Sequence, residues 1–217
     1  MDFEKSLPNL KRPQWVNYYL DFHRLYEMIP FEFGFDGDRV SDFFLLLESE
    51  VDQFCNFYIN LETKLVSMKN NLTTKRRGIR HQYLEEAHVY TEELINFSRE
   101  AMETALFLET NVKATRIILH LYEEQLTRVV PNPREVIVNL VQDISHKTRA
   151  ILESNILEKV KIDLQEKHLP TTKRLLKQFE EPEEARQLLL ESTLASKVEL
   201  FELTLTDFVD KYRKCKT

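Results

Sequence analysis

A row of apolar residues in the first half of the sequence recurs with the spacing of one helix face. Its members are Leu47, Val51, Phe54, Tyr58, Leu61, Leu65, Met68 and Leu72. The steps between them alternate between four residues and three, which is the heptad pattern of helices that pack along a seam. The pattern predicts a long helix that begins near Val40 and ends near Gly78, where a glycine and two threonines interrupt it.

A second apolar row follows over residues 87–129. It consists of Ala87, Tyr90, Leu94, Phe97, Ala101, Ala105, Leu108, Val112, Leu119, Tyr122, Leu126 and Val129. It ends before the sequence Pro-Asn-Pro at 131–133, which a helix does not easily cross. Two long helices joined by a short loop predict an antiparallel hairpin. Each buried seam residue is expected to stabilise it by about 1.5–3 kcal/mol.

Shorter helices are predicted on both sides of this hairpin. The segment 13–29 predicts one continuous helix, because Pro13 suits a first helical turn and Pro30 ends the pattern. Its predicted apolar side is made of Trp15, Val16, Tyr19, Leu20, Leu25 and Ile29. After residue 134, apolar spacing predicts more helix with a break at Pro170, and a last helix from about Pro182.

The composition favours the same fold class. The 217 residues include only three glycines and seven prolines, and 30% of them are charged. So little turn material excludes glycine-rich all-β and Rossmann-type folds. We therefore predict an all-α, elongated helical bundle with two long antiparallel helices and additional C-terminal helices. The Pro-Asn-Pro break predicts a helical domain over 1–130 and a helical extension over 131–217 that packs on the bundle or completes it.

Charge, hydropathy and cysteine content restrict the functional class. The net charge of −6 argues against a general nucleic-acid binder, which needs a concentrated basic face. No apolar run is long enough to span a bilayer. Two cysteines, Cys55 and Cys215, make neither a disulfide framework nor a zinc site, and they fit a reducing cytoplasm.

The sequence also lacks the motifs of an enzyme. Neither cysteine lies in the context of a nucleophile, and no G-x-S-x-G or phosphate-cradling glycine loop is present. Glu85 and His88 form an E-x-x-H half-motif, but a di-iron bundle needs a second one. We therefore predict that the protein is not an enzyme and has no metal or cofactor.

Two basic stretches are candidates for anion binding. Lys75, Arg76, Arg77 and Arg80 lie in the predicted loop between the long helices, and a loop of this kind suits phosphates or an acidic membrane surface. On the second long helix, the basic residues at 113, 116 and 120 are spaced three and four apart and share one face. Lys113 and Arg116 would give a phosphate two donors if that face met Tyr19 and His23.

Three motifs, in order, resemble a known family. They are W-x-x-x-Y-L-D-[FY] at 15–22, E-x-E-V-x-x-F-x-x-F-Y at 48–58 and F-x-x-x-N-x-x-x-x-R-x-I-L-x-x-Y-[DE] at 107–123. Over about residues 1–126 the chain resembles the SPX domain of eukaryotic phosphate-homeostasis proteins, as a divergent member. The resemblance implies a bundle of three helices, two of them very long, with a small N-terminal helical hairpin. It also implies a non-enzymatic module that binds inositol pyrophosphates or inositol hexakisphosphate on a basic surface.

The resemblance and the shared basic face together give six candidate ligand-binding residues. They are Lys5, Tyr19, His23, Lys113, Arg116 and His120. The family's lysines are replaced at Asp2, His23, Ile117, His120 and Leu121. Because each charge-assisted hydrogen bond contributes about 1.5–3 kcal/mol, we expect a weakened anion surface.

Three functions stay open at this point. The first is a phosphate-signalling module that binds an inositol polyphosphate or phosphate and acts on a protein partner. The second is a degenerate SPX-like scaffold for protein–protein interaction, with ligand binding lost. The third is a helical membrane adaptor, and only the basic loop at 75–80 favours it; in the first two, any membrane contact is indirect.

Overall fold

The structure is a computed structural model that describes residues 11–29, 37–78, 84–129, 154–172 and 174, and helical residues at 138–139, 142–144, 146–148 and 151. Over these residues the regular structure is helical and contains no strand. A 3₁₀ helix at Pro13–Tyr18 precedes the four α-helices whose bounds the structure describes. These are α1 (Phe22–Glu27), α2 (Gly37–Gly78), α3 (Leu84–Val129) and α4 (Ile156–Asp163). The predicted all-α fold with two long helices is confirmed.

The two long helices contribute to two compact units. The described residues of the first unit come from Met1–Ile59 and Leu106–Glu153. Those of the second unit come from Asn60–Ala105 and Ser154–Phe201. Each unit therefore contains some residues from before position 130 and some from after it. The division of the chain at residue 130 stays a prediction.

The helices α2 and α3 run antiparallel within each unit. In the first unit, the rings of Phe43 and Tyr122 stack with centroids 4.2 Å apart, and those of Phe57 and Phe107 meet at 5.3 Å. In the second unit, Lys64 pairs with Glu100 at 2.5 Å and Lys75 pairs with Glu93. In both units the contacting position on α3 falls as the position on α2 rises, which is the antiparallel arrangement.

The apolar seams lie inside these units. All members of the α2 row are buried except Met68, which is half-buried. On α3, the described side chains of the predicted row are buried as well, apart from the half-buried Ala105. Burial of the seams therefore follows the predicted heptad spacing.

The predicted continuous helix over 13–29 is wrong. The chain leaves the 3₁₀ helix in an extended conformation at Tyr19 (φ −79°, ψ 142°) and re-enters helix only after Asp21, whose side chain caps α1 by accepting the N–H of Arg24 at 3.2 Å. At this break the backbone N–H groups of Leu20 and Asp21 donate to side chains of the long helices instead of to helix carbonyls. As a result Val16, predicted to be buried, is 50% exposed.

The predicted break at Pro170 is also wrong. After α4 the chain continues as a π turn over Leu164–His168 and stays helical through Thr172. The N–H of Leu169 donates to the carbonyl of Leu164, five residues earlier. A proline ring collides with the carbonyl four residues before it in a regular α-helix, and a wider turn relieves that crowding.

Several predicted features fall outside the described residues. These are the N-terminal segment with Asp2 and Lys5, the loop at 79–83 with Arg80, and the last helix from about Pro182. The side chains of Glu85 and His88 also lie outside them.

Candidate functional site

The segment before α1 attaches to the long helices through aromatic rings. In the first unit, the ring of Trp15 makes edge-to-face contacts with the rings of Phe57 and Phe107, with centroids 5.7 and 5.8 Å apart. The ring of Tyr18 stacks on Phe57 at 3.9 Å. Edge-to-face and offset contacts of this kind stabilise beyond the area that they bury. The aromatic residues therefore hold the 3₁₀ helix against both α2 and α3.

Two side chains of the long helices bind the backbone at the break. Oδ1 of Asn111 accepts the N–H of Leu20 at 2.7 Å, and a carboxylate oxygen of Glu50 accepts the N–H of Asp21 at 2.8 Å. The amide nitrogen of Asn111 donates in turn to the carbonyl of Phe107 at 2.9 Å, which fixes its orientation. We refer to Asn111 and Glu50 as the docking pair.

The candidate ligand residue Tyr19 lies inside this contact region. It is 5% exposed, and its ring packs against Phe107 with centroids 4.7 Å apart. Its hydroxyl accepts the backbone N–H of Arg12 at 3.2 Å. The ammonium of Lys11 lies 5.5 Å from the centroid of the Tyr19 ring. Burial lowers the pKa of Lys11, and the charges of Asp21 and Glu50 oppose that change.

The candidate His23 lies on the exposed side of α1. Its Nε2 is 3.1 Å from a carboxylate oxygen of Glu27, one helical turn later. Both side chains are mostly exposed, so this pair contributes little to stability. The neighbouring carboxylate also makes this position less favourable for an anion.

The other candidates lie on the exposed face of α3, as predicted from their spacing. Lys113, Arg116 and His120 are all exposed, and we call them the basic face. Nε2 of His120 lies 3.5 Å from a carboxylate oxygen of Glu124. At about 100° per residue, the three positions lie about 140–200° around the helix from Asn111. The basic face thus points away from the side of α3 that receives the N-terminal segment.

The geometry therefore separates the predicted site residues into two groups. Tyr19 packs on the side of α3 that carries Phe107 and Asn111, whereas the basic face lies on the opposite side. Anion binding by these residues stays a prediction. The docking pair lay within the matched motifs without an assigned role. Its signal was a polar residue, Asn111, at a position that helical spacing puts on the apolar face of α3, three residues after Leu108.

A cluster of charges surrounds a buried thiol in the same unit. Nζ of Lys147 hydrogen bonds to Asp52 at 2.5 Å and lies 3.9 Å from Glu48. The hydrogen bond to Asp52 raises the pKa of Lys147. Cys55 is 5% exposed, and burial, with a further contribution from the charge of Asp52, raises its pKa to about 12. This thiol is therefore a poor nucleophile at neutral pH.

Neither a metal site nor a membrane span is found in the described part of the chain. No group of three or more His, Cys, Asp and Glu side chains there is arranged to hold a metal ion. No described helix is long and apolar enough to cross a bilayer. No protein-family model, curated protein or solved structure matches the chain.

Proposed function

We propose that this protein is a cytoplasmic, non-enzymatic, SPX-like regulatory module of phosphate signalling. In this function it senses an inositol polyphosphate or phosphate and acts on a protein partner. The observation that supports the proposal best is the set of contacts among the three motifs. Leu20 and Asp21 of the first motif donate to Asn111 of the third and Glu50 of the second.

These contacts are the ones that such a module requires. The resemblance implies a small N-terminal hairpin held against two long helices, and the docking pair fixes the N-terminal segment in that manner. Trp15, another residue of the first motif, packs between Phe57 of the second and Phe107 of the third. Motif residues scattered by chance would not be expected to contact one another across the fold.

The basic face is the surface that we assign to the anion. Its three side chains are exposed on one side of α3, over about two helical turns. Charge-assisted hydrogen bonds to phosphate oxygens would supply the affinity. Glu124 beside His120 reduces the positive potential of this face. We therefore expect weak binding that weakens further as salt is added.

Titration calorimetry with inositol hexakisphosphate at physiological salt tests this proposal. The full chain is expected to give binding heat that disappears in a Lys113→Ala/Arg116→Ala double variant. Arg99→Ala, which removes an exposed cation elsewhere on α3, is the matched control and should bind as the parent does. Tyr19→Phe should also bind normally, because the Tyr19 hydroxyl is buried and accepts a backbone N–H.

The second candidate function is an SPX-like scaffold that has lost the ligand. It is favoured by the burial of Tyr19 and by the carboxylates of Glu27 and Glu124 beside the two candidate histidines. Absence of heat at high ligand concentration would support this function against the first. Heat that persists in the double variant would exclude the basic face as the anion site.

The membrane-adaptor function has less structural support. Lys75, Arg76 and Arg77, predicted to lie in the loop between the long helices, lie instead in the last turn of α2. Lys75 pairs with Glu93, and Arg76 donates to the carbonyl of Lys167 at 3.3 Å. Two of these three cations thus already have partners within the chain. Sedimentation with anionic liposomes, abolished by alanine at Lys75, Arg76 and Arg77, would be needed to favour this function.

A further inference from the structure

A histidine and a tyrosine are paired in the interior of the second unit. The hydroxyl of Tyr90 on α3 lies 2.7 Å from Nδ1 of His168. Tyr90 is 1% exposed and His168 is fully buried. His168 is the last residue of the π turn that follows α4. The pair therefore joins the segment 156–172 to the long-helix hairpin, and it plays no part in the proposed anion site.

The groups around His168 are mostly cationic. From α2, Arg76 donates to the carbonyl of Lys167. Burial lowers the pKa of His168, and the charge of Arg76 lowers it further. In Tyr90 burial raises the pKa, and the charge of Arg76 opposes that change. From the segment itself, Lys167 lowers the pKa of His168 and Asp163 raises it. The carboxylate of Asp163 is already shared between Lys167 and Lys69 of α2.

The environment cannot accommodate a second proton on the imidazole without cost. Nε2 of His168 is buried and has no hydrogen-bond partner among the described residues, and the same is true of Nε of Arg76. Protonation would make both ring nitrogens donors. It would place a buried positive charge near the guanidinium of Arg76, and within the part of the chain that the structure describes nothing accepts an N–H at Nε2. A buried, protonated imidazole of this kind costs free energy unless the segment moves away.

We propose that His168 is a proton-sensitive latch: the neutral imidazole, bonded to Tyr90, holds the segment 156–172 on the α2–α3 hairpin of the second unit, and protonation releases that segment. The inference goes beyond the proposed anion-sensing function and does not depend on it.

The direction of the pH effect follows from the protonation of the two states. Burial first, and then Arg76 and Lys167, hold the pKa of His168 below its ordinary value, whereas a released imidazole titrates near about 6.5. The released state therefore binds more protons at mildly acid pH. The latch has its full strength above about pH 6.5 and weakens as the pH falls below that value. If the closed form stays unprotonated, the closed-to-open ratio drops about tenfold between about pH 7.5 and 5.5.

Hydrogen exchange of the full chain at these two pH values tests the latch. After correction for intrinsic exchange rates, amide protection over 156–172 should fall at the lower pH, by at most about tenfold. Protection over 113–126 in the first unit should fall less, because the effect is local. His168→Gln should remove the pH dependence, whereas the matched control His146→Gln, an exposed histidine of the first unit, should retain it. An equal pH-dependent loss in His168→Gln would overturn the proposal.

A measurement on the unaltered chain covers the case in which His168→Gln fails to fold. Nitrogen-15 shifts of the His168 ring report its protonation directly. The ring is expected to become protonated only at a lower pH than a histidine in a short unfolded peptide, because burial first and then Arg76 and Lys167 lower its pKa. Titration of His168 with the same midpoint as that peptide would refute the latch.

Discussion

The buried amide of Asn111 accepts the backbone N–H of Leu20 at 2.7 Å, although 91 positions separate the two residues in the sequence. This contact links the N-terminal segment to the middle of α3. It also gives a partner to an N–H group that the interrupted helix leaves without a carbonyl. A buried donor of this kind is costly when its partner is removed.

Asn111→Ala is therefore expected to destabilise the first unit by about 1–3 kcal/mol. The substitution leaves the Leu20 N–H buried without an acceptor and loosens the adjacent aromatic contacts. Urea unfolding followed by the fluorescence of Trp15, the single tryptophan of the chain, measures the change at the affected segment. Asn96→Ala, at an exposed position of the same helix, should stay within about 0.5 kcal/mol of the parent. Equal losses in both variants would contradict a specific role for Asn111.

The break in the N-terminal segment can be tested by comparing two apolar side chains. Leu20 is 1% exposed, so Leu20→Ala should cost about 2–5 kcal/mol. Val16 is 50% exposed, and Val16→Ala should change the unfolding free energy by no more than about 0.5 kcal/mol. Chemical denaturation measures both. A large loss in Val16→Ala would instead favour one continuous helix with Val16 on its buried side.

The burial of Cys55 predicts slow alkylation of the native protein. Because its pKa is raised to about 12, the native thiol should react with iodoacetamide at least about a hundredfold more slowly at pH 8 than the thiol in urea-unfolded chain. The unfolded thiol should reach a rate plateau above its ordinary pKa of about 8.5, whereas the native rate should continue to rise. Mass spectrometry of the peptide that contains Cys55 isolates its signal from Cys215. Rapid native labelling at neutral pH would show that the thiol is accessible.

The buried carboxylate of Asp163 predicts a loss of stability in acid. Burial alone would raise the pKa of Asp163, but hydrogen bonds and charges from Lys167 and Lys69 outweigh that effect and lower it. The folded second unit therefore holds this proton less tightly than the unfolded chain does. The resulting stability is present above about pH 3.9 and is lost as the pH falls through the lowered value.

Asp163→Asn should accordingly destabilise the second unit at neutral pH and flatten its acid dependence. Because both lysines are partly exposed, we expect a loss of about 1–2 kcal/mol rather than that of a fully buried pair. Amide exchange over 156–172 as a function of pH is the measurement. Glu166→Gln, at an exposed position in the same turn, should leave amide exchange over 156–172 unchanged. An unchanged acid profile in Asp163→Asn would show that the two ion pairs carry no stability.

The long helices could be predicted because their determinants are local. The alternation of four-residue and three-residue steps from Leu47 to Leu72 specifies both helix and buried face, and neither depends on distant residues. The break at Tyr19 could not be predicted in this way. It depends on Glu50 and Asn111, which lie 29 and 91 positions beyond the N–H groups that they accept.

The candidate site was predictable only in part for the same reason. Helical spacing alone places Lys113, Arg116 and His120 together, and the structure agrees that they share an exposed face. The surroundings of Tyr19 depend on a tertiary contact with Phe107, 88 positions away. No sequence motif pointed to His168, because the contact that singles it out is with Tyr90, 78 positions away.

The wide turn before Pro170 also corrects the phase of a helical face. Val160, Leu164, His168 and Thr172 are all buried, and each is four residues from the next. In a regular α-helix every such step drifts by about 40°, so three steps would carry Thr172 about 120° away from Val160. One extra backbone residue in the turn offsets most of that rotation. Deleting a residue from this turn would therefore rotate the residues after it around the helix axis. The imidazole of His168 and the hydroxyl of Thr172 would then no longer face their present neighbours.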